Sequence, residues 1–119
     1  RADVLIFSEH DPNSDEECQR YLDAAKLAVV TRGDRGADIY SAGTITHVPT
    51  YPTNEIDPTG AGDGFCGAFL IEYRRTGSAV DACRFASAAA SLLVEGLGVE
   101  GAASEDRIRA RMAGPTREQ

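Results

Sequence analysis

An α/β fold is predicted by three features of this 119-residue chain. Strand, helix and strand patterns succeed one another within about thirty residues at the start, which makes a parallel, right-handed crossover the default topology. Two alternating segments then meet across Ala42-Gly43, and from Gly62 onward the apolar residues recur at helical spacing. The expected order is therefore a βαβ start, a hairpin and a helical end.

Val4-Leu5-Ile6-Phe7 is a short apolar run suited to a buried strand. Ser14 to Ala25 has an acidic entry, Asp15-Glu16-Glu17, and apolar residues at Cys18, Leu22 and Ala25, as a surface helix would. Lys26 to Thr31 reads as the second buried strand, and Arg32-Gly33-Asp34-Arg35-Gly36 as a turn. Ala37 to Ser41 and Thr44 to Val48 form the hairpin that extends the sheet with antiparallel strands. Pro49, Pro52 and Pro58 punctuate an extended stretch. The first helix of the second half carries Phe65, Ala68, Phe69, Glu72 and Tyr73, with Gly77 as its stop and Ser78 as the next N-cap. The helix after it is alanine-rich (Ala79, Ala82, Ala86, Ala89, Ala90), as close packing requires. Gly96, Gly98 and Gly101 mark a loop before a short helix over Glu105 to Met112, and Gly114 to Gln119 form a polar tail expected to fray.

Composition narrows the function classes. Apolar residues at 42% against 26% charged suit one soluble globular domain or part of one. A formal charge of −7 with no basic stripe argues against a nucleic-acid or anionic-membrane partner. Cys18, Cys66 and Cys83 are odd in number and lack metal-ligand spacing, which favours reduced thiols in a cytoplasmic setting. No apolar run approaches the ~20 residues that span a bilayer, and no signal-peptide pattern opens the chain. Arg1 in place of an initiating Met suggests a fragment.

The chemistry concentrates in Asp57 to Leu70, DPTGAGDGFCGAFL. If a helix begins near Gly62, the N–H groups around Gly60, Ala61, Gly62 and Asp63 lie unpaired at the positive end of its dipole, where small residues let a phosphate approach. Asp63 would repel that phosphate unless its task is to take a proton from an attacking hydroxyl. Phosphoryl transfer to an alcohol satisfies both halves; an Asp that merely caps the helix is the competing structural reading. Gly62-Asp63-Gly64-Phe65-Cys66-Gly67 also fits G-x-G-x-x-G with Asp81 further on, but the strand a dinucleotide site needs before its glycines is missing. No glycine cluster is followed by Gly-Lys-Ser/Thr, so a Walker-type loop is absent.

Along its whole length this stretch resembles the C-terminal signature of the ribokinase-like carbohydrate kinases, the PfkB family. The other elements come in that family's order. The resemblance implies a three-layer α/β/α fold and ATP-dependent phosphorylation of a small-molecule sugar, inositol or nucleoside, with Mg2+. It implies that Asp63 is the catalytic base and that Gly60, Ala61 and Gly62 stabilise charge on the transferring phosphoryl group. Thr31, Gly33 and Gly36 in TRGDRG resemble the family's turn beside the nucleotide phosphates; read alone, they form only a strand-ending turn. Ala86, Ser87 and Ala90, with Gly98, match the segment lining the adenine pocket, where many members carry Asn in place of Ser87. Asp57 and Thr59 match positions that hold a monovalent cation in potassium-activated members.

The chain also departs from the family. Where members often carry Asn-x-x-Glu after the first strand, this chain reads Ser8-Glu9-His10-Asp11, and Ser8 and Asp11 are the expected shortened equivalents. His10, alone in a polar loop, and His47, in the hairpin, support no catalytic role. Relatives are considerably longer, and their N-terminal half carries sugar-recognising residues and a lid that often forms a dimer interface. The expectation is thus the C-terminal nucleotide-binding and catalytic-base portion, residues 1–119, with the sugar-binding part absent, a homodimer forming through that lid, and apolar surface exposed where strands are missing. The alternative is a nucleotide-binding or interaction module without transfer activity.

Overall fold

Strand β1 (Ala2–Ser8) runs parallel to β2 (Ala25–Thr31), with Val4 opposite Leu27 and Ser8 opposite Thr31. The computed structural model describes residues 2–52, 61–94 and 105–116. Pro58, the loop glycines Gly96, Gly98 and Gly101, and the end of the tail lie outside them. The chain divides into two compact units, residues 1–48 and 49–119.

In the first unit the sheet order is β1-β2-β3-β4, where β3 (Ala37–Ser41) and β4 (Thr44–Val48) are antiparallel additions. β2 is interior, and Leu27, Ala28, Val29 and Val30 are all buried, which explains why its apolar residues run continuously rather than alternate. The hairpin turns through Ala42 (φ 52°) and Gly43 (φ 79°). Two positive φ values in a two-residue loop match the strand twist, as a type I′ turn does.

Helix α1 (Asp15–Asp23) is shorter than its pattern predicted. Ser14 is extended and caps it, its Oγ accepting from the Glu17 N–H at 3.1 Å. Ala25 belongs to β2 and pairs with Ala2, because the parallel ladder supplies backbone partners that a further helical turn would forfeit. Cys18, Tyr21 and Leu22 pack on Phe7, Ala28 and Val30, with the Tyr21 ring edge-on to Phe7 at 5.1 Å.

The second unit is helical. α2 (Ala61–Thr76) ends at Gly77, whose φ of 70° suits the left-handed position after a helix and whose N–H donates to the Tyr73 carbonyl at 2.8 Å. Ser78 then caps α3 (Ala79–Val94), accepting from the Asp81 N–H at 3.2 Å. At Gly64 a Cβ would run into Leu93 Cδ1, so the missing side chain lets α2 approach α3. α4 (Glu105–Met112) closes a core of Tyr51, Phe85, Ala88, Ala89, Leu92 and Ile108. Among the described residues, no helix is long and apolar enough to cross a membrane.

Tyr51 is 1% exposed and its hydroxyl has no hydrogen-bond partner among the described residues. An orphaned buried hydroxyl costs about 1–3 kcal/mol. Tyr51→Phe is therefore expected to raise the unfolding free energy by roughly 1 kcal/mol, read from the denaturant midpoint. A lower midpoint would show that the hydroxyl has a stabilising partner.

Candidate functional site

The N-terminus of α2 puts Ala61, Gly62 and Asp63 in its first turn, where backbone N–H groups lack intrahelical acceptors and the dipole favours negative charge. Gly62 and Asp63 are exposed, and a Cβ built on Gly62 meets nothing within 4 Å. An anion can thus come close to the backbone beside a carboxylate that faces water. One turn on, burial pushes the Cys66 thiol above its ordinary value and the Asp63 charge adds to the effect. Cys66 is consequently a protonated, half-buried thiol at neutral pH.

A second polar cluster gathers at the carboxyl ends of β1 and β2, the edge where parallel sheets bind ligands. The Glu9 N–H donates to the Thr31 carbonyl at 2.9 Å, tying the two strand-end loops together. After Thr31 the chain makes a 3-10 turn over Gly33–Arg35, with Gly33 at φ 61° and Gly36 at φ 92°. Both values are open to glycine and strained for other residues, and the space beside Gly33 is free. Arg32 anchors this turn. Its Nε donates to Asp38 Oδ2 at 2.8 Å, Nη2 to the Tyr40 hydroxyl at 3.1 Å and Nη1 to Glu9 Oε1 at 3.5 Å. Arg35 donates to the other oxygen of Glu9. The hydrogen bond from Arg35 holds the Glu9 carboxyl below the usual carboxylate range despite partial burial. Burial opposes ionisation of Asp38, but hydrogen bonds from His47, at 2.7 Å, and from Arg32 outweigh it and keep its carboxyl low as well.

Asp11, the expected acidic partner of Ser8, turns back on its own loop. Its Oδ2 accepts from the Ser8 N–H at 2.9 Å, while the Ser8 hydroxyl accepts from the His10 N–H at 3.2 Å. Reading the sequence overlooked Glu9, Arg32, Arg35 and Asp38 as a group. The available signal was an arginine on each side of Gly33 in the loop beside an acidic strand end.

On α3, Ala86 and Ser87 are buried and Ala90 is half-buried. Asp57, Thr59, Gly60 and Gly98 lie outside the described residues. Among the described residues, no group of three or more His, Cys, Asp or Glu side chains could hold a metal ion. The open backbone at Gly62, at the start of α2, suits a phosphate group, and so, taken by itself, does the turn at Gly33; a magnesium ion bound to such phosphates takes most of its ligands from them and from water.

The pfkB family carbohydrate kinase model matches residues 2–106. Among curated proteins, Probable fructokinase-5 of Arabidopsis thaliana is 38% identical over 80 residues, 66% of this chain and 25% of that protein. A nucleoside kinase of Methanothermobacter thermautotrophicus is 39% identical over 74 residues, 62% of this chain and 24% of its own. Among solved structures, an E. coli chain assigned to ribokinase II, in complex with ATP and Mg2+, superposes with a TM-score of 0.81 at 33% identity, covering 93% of this chain and 39% of that one. The fold is ribokinase-like, and the chain spans about a quarter of the curated relatives it matches.

Proposed function

The chain belongs to the pfkB family of carbohydrate kinases, and on that premise we propose that residues 1–119 supply the nucleotide-binding and catalytic-base portion of an ATP-dependent kinase acting on a hydroxyl of a sugar, inositol or nucleoside. The observation that carries this reading is the exposed Asp63 in the first turn of α2, beside glycine backbone open to an anion. Simple nucleotide binding has no use for a carboxylate there; transfer to an alcohol needs one.

In this reading Asp63 takes the proton of the acceptor hydroxyl as its oxygen bonds to the γ-phosphorus and the bond to the bridging oxygen breaks. The N–H groups of Gly60, Ala61 and Gly62 stabilise charge on the transferring group, fixed in place before it develops. Thr31, Gly33 and Gly36 contact the nucleotide phosphates, and Ala86, Ser87, Ala90 and Gly98 line the adenine site. Asp57 and the Thr59 carbonyl would hold a monovalent cation if the protein is one of the potassium-activated members. Mg2+ bound to the phosphates would offset their charge. Fructokinase, nucleoside kinase and ribokinase names among the similar proteins support an alcohol acceptor while leaving its class open.

The test is a transfer screen on the full-length protein, with ATP, Mg2+ and K+ against sugars, inositols and nucleosides. Turnover with one acceptor supports the kinase reading and names the substrate. ATP binding without turnover on any of them favours the module that lacks transfer.

A further inference from the structure

Two arginines share Glu9, but they are held differently. Arg32 has three anchors in Asp38, Tyr40 and Glu9, and its side chain is 24% exposed. Arg35 pairs with Glu9 alone among the described residues and is 55% exposed, at the rim of the glycine turn. If Arg35 swings away, the Glu9 carboxylate, 16% exposed, keeps Arg32 beside it and is not left as an uncompensated charge; His10 also lies at 3.7 Å. A half-exposed ion pair contributes little, whereas a guanidinium meeting a phosphate forms paired charge-assisted hydrogen bonds. The edge where Arg35 sits is the carboxyl end of a parallel strand pair, with free space beside Gly33.

We infer that Arg35 is an exchangeable phosphate contact: its guanidinium leaves Glu9 for the phosphate chain of a nucleotide lying over the Gly33–Gly36 turn, and Glu9 competes with that chain. The inference rests on the nucleotide reading of this turn proposed above. Arg32 stays in place through the exchange and keeps the turn in shape.

The experiment measures binding of MgATP and of adenosine by calorimetry to full-length wild type, Arg35→Gln, Arg35→Lys and Glu9→Gln. Arg35→Gln is expected to weaken ATP about tenfold and leave adenosine unchanged, since only the phosphates meet Arg35. Arg35→Lys retains part of the affinity, because it keeps the charge and loses the planar fork. Glu9→Gln tightens ATP a few-fold by removing the competitor. The inference is overturned if Arg35→Gln binds ATP within about twofold of wild type, if adenosine weakens in step with ATP, or if Glu9→Gln weakens ATP. Should Arg35→Gln fail to fold, Arg35→Lys and Glu9→Gln carry the same test. Folded wild type that binds no ATP would refute the nucleotide reading itself, a result distinct from wild type that binds ATP and is indifferent to Arg35.

Discussion

Asp63→Asn in the full-length protein is expected to lower kcat by about 10²-fold or more while ATP affinity is kept, since an amide preserves shape but cannot take the acceptor's proton. The side chain is exposed in the first turn of α2, so the substitution removes a helix-dipole interaction on the order of 0.5 kcal/mol and leaves the fold intact. Steady-state turnover and ATP binding, measured on the same preparation, separate the two effects. Turnover near that of wild type would remove Asp63 from the role of base. A parallel loss of ATP binding would make it a nucleotide-site residue instead.

Glu72→Gln is expected to destabilise the helical unit by about 2 kcal/mol at neutral pH. Glu72 is 2% exposed on α2, with Arg75 Nε donating to Oε1 at 2.9 Å and Arg109 Nη1 to Oε2 at 2.8 Å. The hydrogen bonds from Arg75 and then Arg109 hold its carboxyl down at about 2. Arg109 also lies 4.6 Å over the Phe85 ring, so one carboxylate joins α2 to α4 and seats a guanidinium on the core. Both arginines reach water, which limits the loss below that of a fully buried pair. A carboxyl whose folded value lies below its ordinary 4.5 contributes fully above that pH, and the contribution fades as pH falls toward 2. Denaturant midpoints at pH 7 should therefore differ between wild type and variant and converge near pH 2. Equal midpoints at pH 7 would show the ion pairs to be thermodynamically silent.

Local rules made much of the architecture readable in advance. The hairpin strands Ala37–Ser41 and Thr44–Val48 and the helix Glu105–Met112 have the bounds their patterns indicate. Ser14 and Ser78 cap helices and Gly77 stops one, because caps and stops depend on side-chain bonds and φ preferences within a turn or two of chain. The glycine run and Asp63 stood out for a related reason: a helix start, small residues and a carboxylate are adjacent in sequence, so their chemistry can be weighed without knowing the fold.

The order of the elements, the parallel start and antiparallel continuation of the sheet, and the family signature at Asp57 to Leu70 were all legible in local patterns. Which charges meet depends on how the elements pack. Glu72 read as one more position on a helical face, yet its partner Arg109 is 37 residues away. Glu9 and Arg35, 26 residues apart, face each other because β1 and β2 end side by side. Asp11 folds back onto the Ser8 N–H of its own exposed loop, which its place in the sequence did not reveal. Hydrophobic periodicity records which face of an element is buried, whereas an ion pair depends on the register between distant elements, and no local pattern encodes that register.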